Sequence, residues 1–136
     1  MSTSKVFYSW QKDLPNKTNR TVILNALEKA AKRIYQDDSI EVEPVVDRDT
    51  QGVPGSPDIA ETIYKKINES QVFVADVSLI NGVISQRPTP NPNVLIELGY
   101  AVAVLGWERI IAVFNLAYGK PEQLPADSGE TGHLFR

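Results

Sequence analysis

Glu97 is an acid in a position where the surrounding pattern leads toward a core. Around it runs Asn91-Pro92-Asn93-Val94-Leu95-Ile96-Glu97-Leu98-Gly99-Tyr100-Ala101, and Val94, Leu95, Leu98, Ala101, Val102 and Leu105 recur at helical spacing. Glu97 falls at the border of that apolar stripe, between Val94 and Ala101, about one turn into the helix. A lone carboxylate near hydroxyls and an aromatic ring can stabilise, or attack, the oxocarbenium-like centre formed as a glycosidic bond breaks. Nicotinamide on NAD suits such a site as leaving group: it is already cationic, needs no general acid, and makes a second carboxylate unnecessary. The plainer role for Glu97 is an acid near a helix start, favourable to the helix dipole.

Other chemistries lack their parts. The chain has 136 residues, no cysteine and one histidine, His133, in the tail. Thiolate nucleophiles, zinc–thiolate sites, Ser-His-Asp catalysis and multi-histidine metal sites are therefore excluded. No G-x-G-x-x-G or G-x-x-x-x-G-K-[ST] follows a strand, which argues against a glycine-rich phosphate cradle. Asp47, Asp49 and Asp76 contain the carboxylates a hard cation would want, yet an ordinary acidic loop is the commoner meaning of such residues, and no metal is expected. The net charge of −3 argues against a nucleic-acid or anionic-membrane partner and leaves room for a small anionic ligand. The first residues lack a signal-peptide core and no apolar run reaches spanning length, so the expected location is the cytoplasm.

The elements that would position Glu97 follow from periodicity. Val6 to Trp10 is a short apolar and aromatic run, the first strand, followed by a polar loop over 11–18. From about Asn19, the positions Ile23, Leu24, Leu27, Ala30, Ala31 and Ile34 describe an amphipathic helix, ended by Asp37-Asp38-Ser39. Ile40 to Val46 is a second strand, placed at a sheet edge by Pro44, which cannot donate to a ladder. Asp47 to Gly55 is then a loop. Ser56-Pro57-Asp58 opens a helix running to about Ser70, with cap, first-turn proline and dipole-compatible acid in order. Val72 to Ala75 is a buried strand with Asp76-Val77-Ser78 at its end. A polar, proline-rich loop over 81–90 leads to the helix of Glu97, capped by Asn91 and closed by Gly106. Arg109 to Phe114 is a further strand, and an irregular tail starts near Tyr118.

Strands alternating with helices predict an α/β, flavodoxin-like three-layer domain: a parallel sheet of order 2-1-3-4, helices on both faces, and room for a fifth strand. The segment ending at Leu134-Phe135-Arg136 shows no further clear helix and strand. Residues 1–136 are thus expected to be one domain, the N-terminal part of a longer chain or one whose final strand comes from elsewhere. In such a sheet the ligand lies at the carboxyl ends of the strands where the order reverses, between the first and third. Ser9, Trp10, Gln11, Asp76, Ser78 and Glu97 are expected at that rim, with Asp47, Arg48 and Asp49 one strand further out. Tyr8 or Trp10 would stack on a base or on nicotinamide, and Ser9 or Ser78 would bond ribose hydroxyls. Asn93 would touch substrate or orient Glu97. Each has a structural alternative: Trp10 as packing, Asp76 as a turn holder, Asn93 as helix support.

Asp76-Val77-Ser78 followed by the Asn91–Ala101 stretch resembles the bacterial TIR-like nucleotide-binding proteins, and is also similar to the nucleoside 2-deoxyribosyltransferases. Val6-Phe7-Tyr8-Ser9-Trp10 resembles the first strand of TIR domains, which ends in a serine. The resemblance implies that Glu97 carries NAD cleavage, with NAD as substrate and no cofactor. It implies that the loop from Asp47 to Gly55 gates the site and contributes to assembly. It further implies an effector of antiphage defence that depletes NAD on self-association, coupled to a sensor domain in cis or on a partner chain. Two other functions stay open at this point, a deoxyribosyltransferase-like enzyme acting through the same glutamate and a non-catalytic interaction or nucleotide-sensing module. The proline-rich loop over 87–90 departs from the family pattern and bears on substrate entry.

Overall fold

The structure is a computed structural model, and it describes residues 2–37, 42–48, 57–82, 87–124 and 134–135. Its elements are β1 (Ser2–Ser9), α1 (Arg20–Gln36), β2 (Val42–Arg48), α2 (Pro57–Asn68), β3 (Val72–Asp76), α3 (Pro92–Leu105), β4 (Ile110–Val113) and β5 (Leu134–Phe135). The strands form one parallel sheet of order β2-β1-β3-β4-β5. This is the α/β flavodoxin-like arrangement expected from the alternation of elements.

Pleat geometry divides the core in two, because successive strand residues face opposite sides. Phe7, Phe73, Ala75, Ile110 and Ala112 pack with Ile63 and Ile67 of α2 and Val94 and Ala101 of α3. The rings of Phe7 and Phe73, adjacent in register, stack with centroids 5.7 Å apart. Tyr8 and Val74 face the other way and pack with Ile23 of α1, joined by Leu24, Leu27, Val46 and Trp10. α1 thus covers one face, and α2 and α3 cover the other.

The structure revises several boundaries. β1 begins at Ser2 rather than Val6, because pairing of Ser2 to Lys5 with Val42 to Val45 extends the strand through a polar segment. Asp47 and Arg48 belong to β2, opposite Phe7 and Tyr8, and not to a loop. Pro44 does lie on an outer strand of the described sheet. The fifth strand, taken as missing or supplied elsewhere, is within the chain: Leu134 and Phe135 pair with Ala112 and Val113. Two 3-10 turns, Leu116–Tyr118 and Pro121–Gln123, replace the irregular start of the tail. Gly119, at φ +151°, joins them, and a side chain there would meet Leu79 Cδ1 at 2.5 Å.

Candidate active site

α3 starts where the sequence indicates. The Asn91 side-chain oxygen accepts hydrogen bonds from the Asn93 and Val94 backbone N–H groups, at 2.8 and 3.2 Å, and Pro92 fills the first helical position. The other end of the same amide donates to Asp13 Oδ2 at 2.7 Å. This ties the helix start to the loop leaving β1. Asn93 is itself exposed; it contributes its backbone to the cap.

One and a half turns further along α3, Glu97 is turned inward and only 6% exposed. Ser9, the last residue of β1 and fully buried, donates its hydroxyl to Glu97 Oε1 at 2.7 Å. Alternation along β1 explains the meeting: Ser9 shares the face of Phe7, the face that α3 covers. The pair stands at the carboxyl end of β1, beside β3, where the strand order reverses.

The same alternation removes Tyr8 and Trp10 from this pair. Tyr8 is fully buried on the α1 face, and its hydroxyl donates to the Arg20 carbonyl at 3.1 Å. Burial, then the charge of Asp76, push its phenol above the ordinary range, and Arg20 pulls weakly the other way. It is not placed as a stacking plate beside Glu97. Trp10 packs on the same cluster as Tyr8, and the Arg20 guanidinium covers its ring at 3.6 Å from the centroid, with Lys12 Nζ at 5.8 Å. One ring face is therefore already occupied by a cation.

Asp76 and Ser78 also separate from Glu97. Asp76, fully buried, accepts from Gln11 Nε2 at 2.9 Å and Asn19 Nδ2 at 3.0 Å on one oxygen, and from the Ser78 N–H at 3.1 Å on the other. The Ser78 hydroxyl accepts from Asn19 Nδ2 at 3.0 Å and the Asn115 N–H at 2.8 Å. Asn115 returns its amide to Thr18 O and Asn19 Oδ1, at 3.1 and 3.2 Å. Thr18 shares a hydrogen bond with the Tyr118 hydroxyl. A buried polar strut thus joins the ends of β1, β3 and β4 to the start of α1.

Sequence reasoning missed Asn19, Asn115, Thr18 and Tyr118. Asn19 stands just before α1, yet its side chain makes no capping hydrogen bond and is spent on the strut. Asp47 lies in β2 on the strand beyond β1, its side chain outside the described residues, and Asp49 lies outside them altogether. No helix among the described residues is long and apolar enough to cross a membrane.

The model of a family described as CAP12/Pycsar effector protein, TIR domain, matches residues 24–129, a span that holds Glu97, Asp76 and Asn115 and begins after Ser9. No curated protein matches the sequence. Among solved structures, one that is similar is a "2-desoxiribosyltransferase from Leishmania mexicana", with 17% identity and a TM-score of 0.48. The match covers 82% of this chain and 64% of that one, so the chain spans less than two thirds of that protein.

Proposed function

This chain belongs to the CAP12/Pycsar effector TIR-domain family, and on that premise we propose that it is an NAD glycohydrolase with Glu97 as its catalytic carboxylate. The observation that carries the reading is the seat of Glu97: one acid, 6% exposed, at the rim where the order of the parallel strands reverses. Stability alone does not recommend that arrangement. A buried carboxylate loses its hydration, and replacing buried charge by apolar groups is often neutral or stabilising. In a water-poor pocket the same charge acts strongly on a cation formed beside it.

The step needs little else. The C1′–N bond of the nicotinamide riboside unit breaks, its electron pair leaves with nicotinamide, and the base departs neutral. Positive charge develops on C1′ and the ring oxygen, where the Glu97 carboxylate stabilises or captures it. Water then bonds to C1′ and releases a proton, which yields ADP-ribose. A second observation favours a phosphate-bearing substrate over a neutral nucleoside. Lys12 and Arg20 stand at the end of β1 beside Trp10, and neither has an ion-pair partner among the described residues.

In this reading the protein is an effector of antiphage defence, and it depletes NAD when copies self-associate under a sensor in cis or on a partner chain. The test is nicotinamide release from NAD at high protein concentration, with base exchange on deoxynucleosides assayed in parallel. Wild type releases nicotinamide, and Glu97→Ala and Glu97→Gln do not. Equal release by all three proteins defeats the proposal, and exchange without NAD cleavage replaces it with a transferase.

A further inference from the structure

The geometry points to Ser9 as the positioning residue for Glu97, acting through the carboxylate and not on the substrate. This rests on the glycohydrolase reading above. Ser9 is fully buried and its hydroxyl lies 2.7 Å from Glu97 Oε1. A hydroxyl at a strand end commonly bonds backbone close in sequence. This one reaches a side chain 88 positions away. Ser9 therefore has no exposed surface with which to bond ribose, the role its type and position suggest in sequence.

Three features make it the device that sets the carboxylate. Glu97 has three rotatable side-chain bonds, and immobilising such a chain requires a fixed partner. Ser9 supplies one from a strand held along both edges: β1 pairs with β2 and with β3, and Ser9 itself lies opposite Ala75 of β3. The helix carrying Glu97 is tied to the same chain segment a second time, by Asn91 and Asp13. Helix start and carboxylate are thus both referenced to β1 and the residues that follow it. A hydrogen bond to one oxygen fixes the plane of the carboxylate, and misplacement of a reacting group by about 1 Å can lower a rate by about a hundredfold.

The test is steady-state NAD hydrolysis at fixed high protein concentration by Ser9→Ala, Ser9→Cys, Glu97→Asp and Ser9→Ala/Glu97→Asp, with thermal unfolding of each. Ser9→Ala is expected to lower kcat by about 10- to 100-fold, with KM within about twofold and a fall in Tm of about 5–10 °C from the lost hydrogen bond to the carboxylate. Ser9→Cys, with a weaker donor, falls between. Glu97→Asp shortens the acid by one methylene and breaks the contact, so adding Ser9→Ala costs nothing further. Wild-type kcat in Ser9→Ala overturns the inference, as does raised KM at constant kcat, the mark of a substrate contact. A full additional loss in the double variant overturns it too. If Ser9→Ala does not fold, wild-type kcat in folded Ser9→Cys refutes it. Glu97→Gln is the separate control: wild-type turnover there defeats the glycohydrolase reading itself.

Discussion

Asn19→Ala and Asn19→Asp separate two roles that the same residue type can play at a helix start. Asparagine just before Arg20 has the type and place of a capping residue, and aspartate caps about equally well. In the structure the Asn19 side chain makes no cap; it is 1% exposed and lies inside the strut around Asp76. Its amide donates to Asp76 Oδ2 and to Ser78 Oγ, both at 3.0 Å, and its carbonyl accepts from Asn115 Nδ2 at 3.2 Å. Alanine removes one hydrogen bond to a carboxylate, about 1.5–3 kcal/mol, and weaker neutral ones near 1 kcal/mol each. The remaining groups keep partners: Asp76 retains Gln11 and the Ser78 N–H, and Ser78 retains the Asn115 N–H. The net loss is therefore about 4 kcal/mol, a fall in Tm of about 10–15 °C for a domain of this size. Aspartate restores capping capacity but sets a carboxylate against Asp76, so it is expected to be at least as destabilising as alanine. Urea and thermal unfolding followed by circular dichroism measure the order. Asn19→Asp within about 0.5 kcal/mol of wild type, with Asn19→Ala lower, would mean that Asn19 is a cap after all.

Glu97→Gln is expected to unfold at or above the wild-type temperature while losing NAD cleavage, since a neutral amide is easier to bury than a carboxylate; a fall of several degrees refutes this. Gly119→Ala should cost about 3 kcal/mol, from the left-handed backbone at φ +151° and the 2.5 Å approach to Leu79. Gly99→Ala should instead gain about 0.5–1 kcal/mol, because nothing lies within 4 Å of an added methyl on that helix. Tyr8 binds its phenolic proton more tightly in the folded state, so its contribution is complete below about pH 10 and is lost as pH rises beyond that. Urea midpoints from about pH 8 to 11 should show an alkaline decline that is shallower in Tyr8→Phe.

What sequence could disclose here is what depends on period and on backbone chemistry. Pro44 marked an outer strand because it lacks an N–H, and Asn91-Pro92 marked a helix start because orphan N–H groups need an acceptor. The helical period also brought Glu97 to the edge of a buried stripe. Strand alternation then decides what periodicity along a helix cannot. Ser9 and Glu97 meet because Ser9 has the parity of Phe7, whereas Tyr8 and Trp10, one position either side, go to the α1 face. Treating the rim as a single cluster overlooked that parity.

Asp76 was legible as an acid at a strand end, with holding the turn and touching a ligand as equal alternatives. The difference lies in donors that come from distant segments. Gln11 and Asn19 meet Asp76 across 65 and 57 positions, separations at which no local pattern constrains side-chain direction. With amide donors on one oxygen and a backbone N–H on the other, Asp76 is satisfied as a strut and holds three strand ends in place. Glu97 accepts from Ser9 and stands on the opposite side of the rim. Two buried acids at one sheet end thus divide the work: one fixes the scaffold, and in the proposed glycohydrolase reading the other is held by it for chemistry.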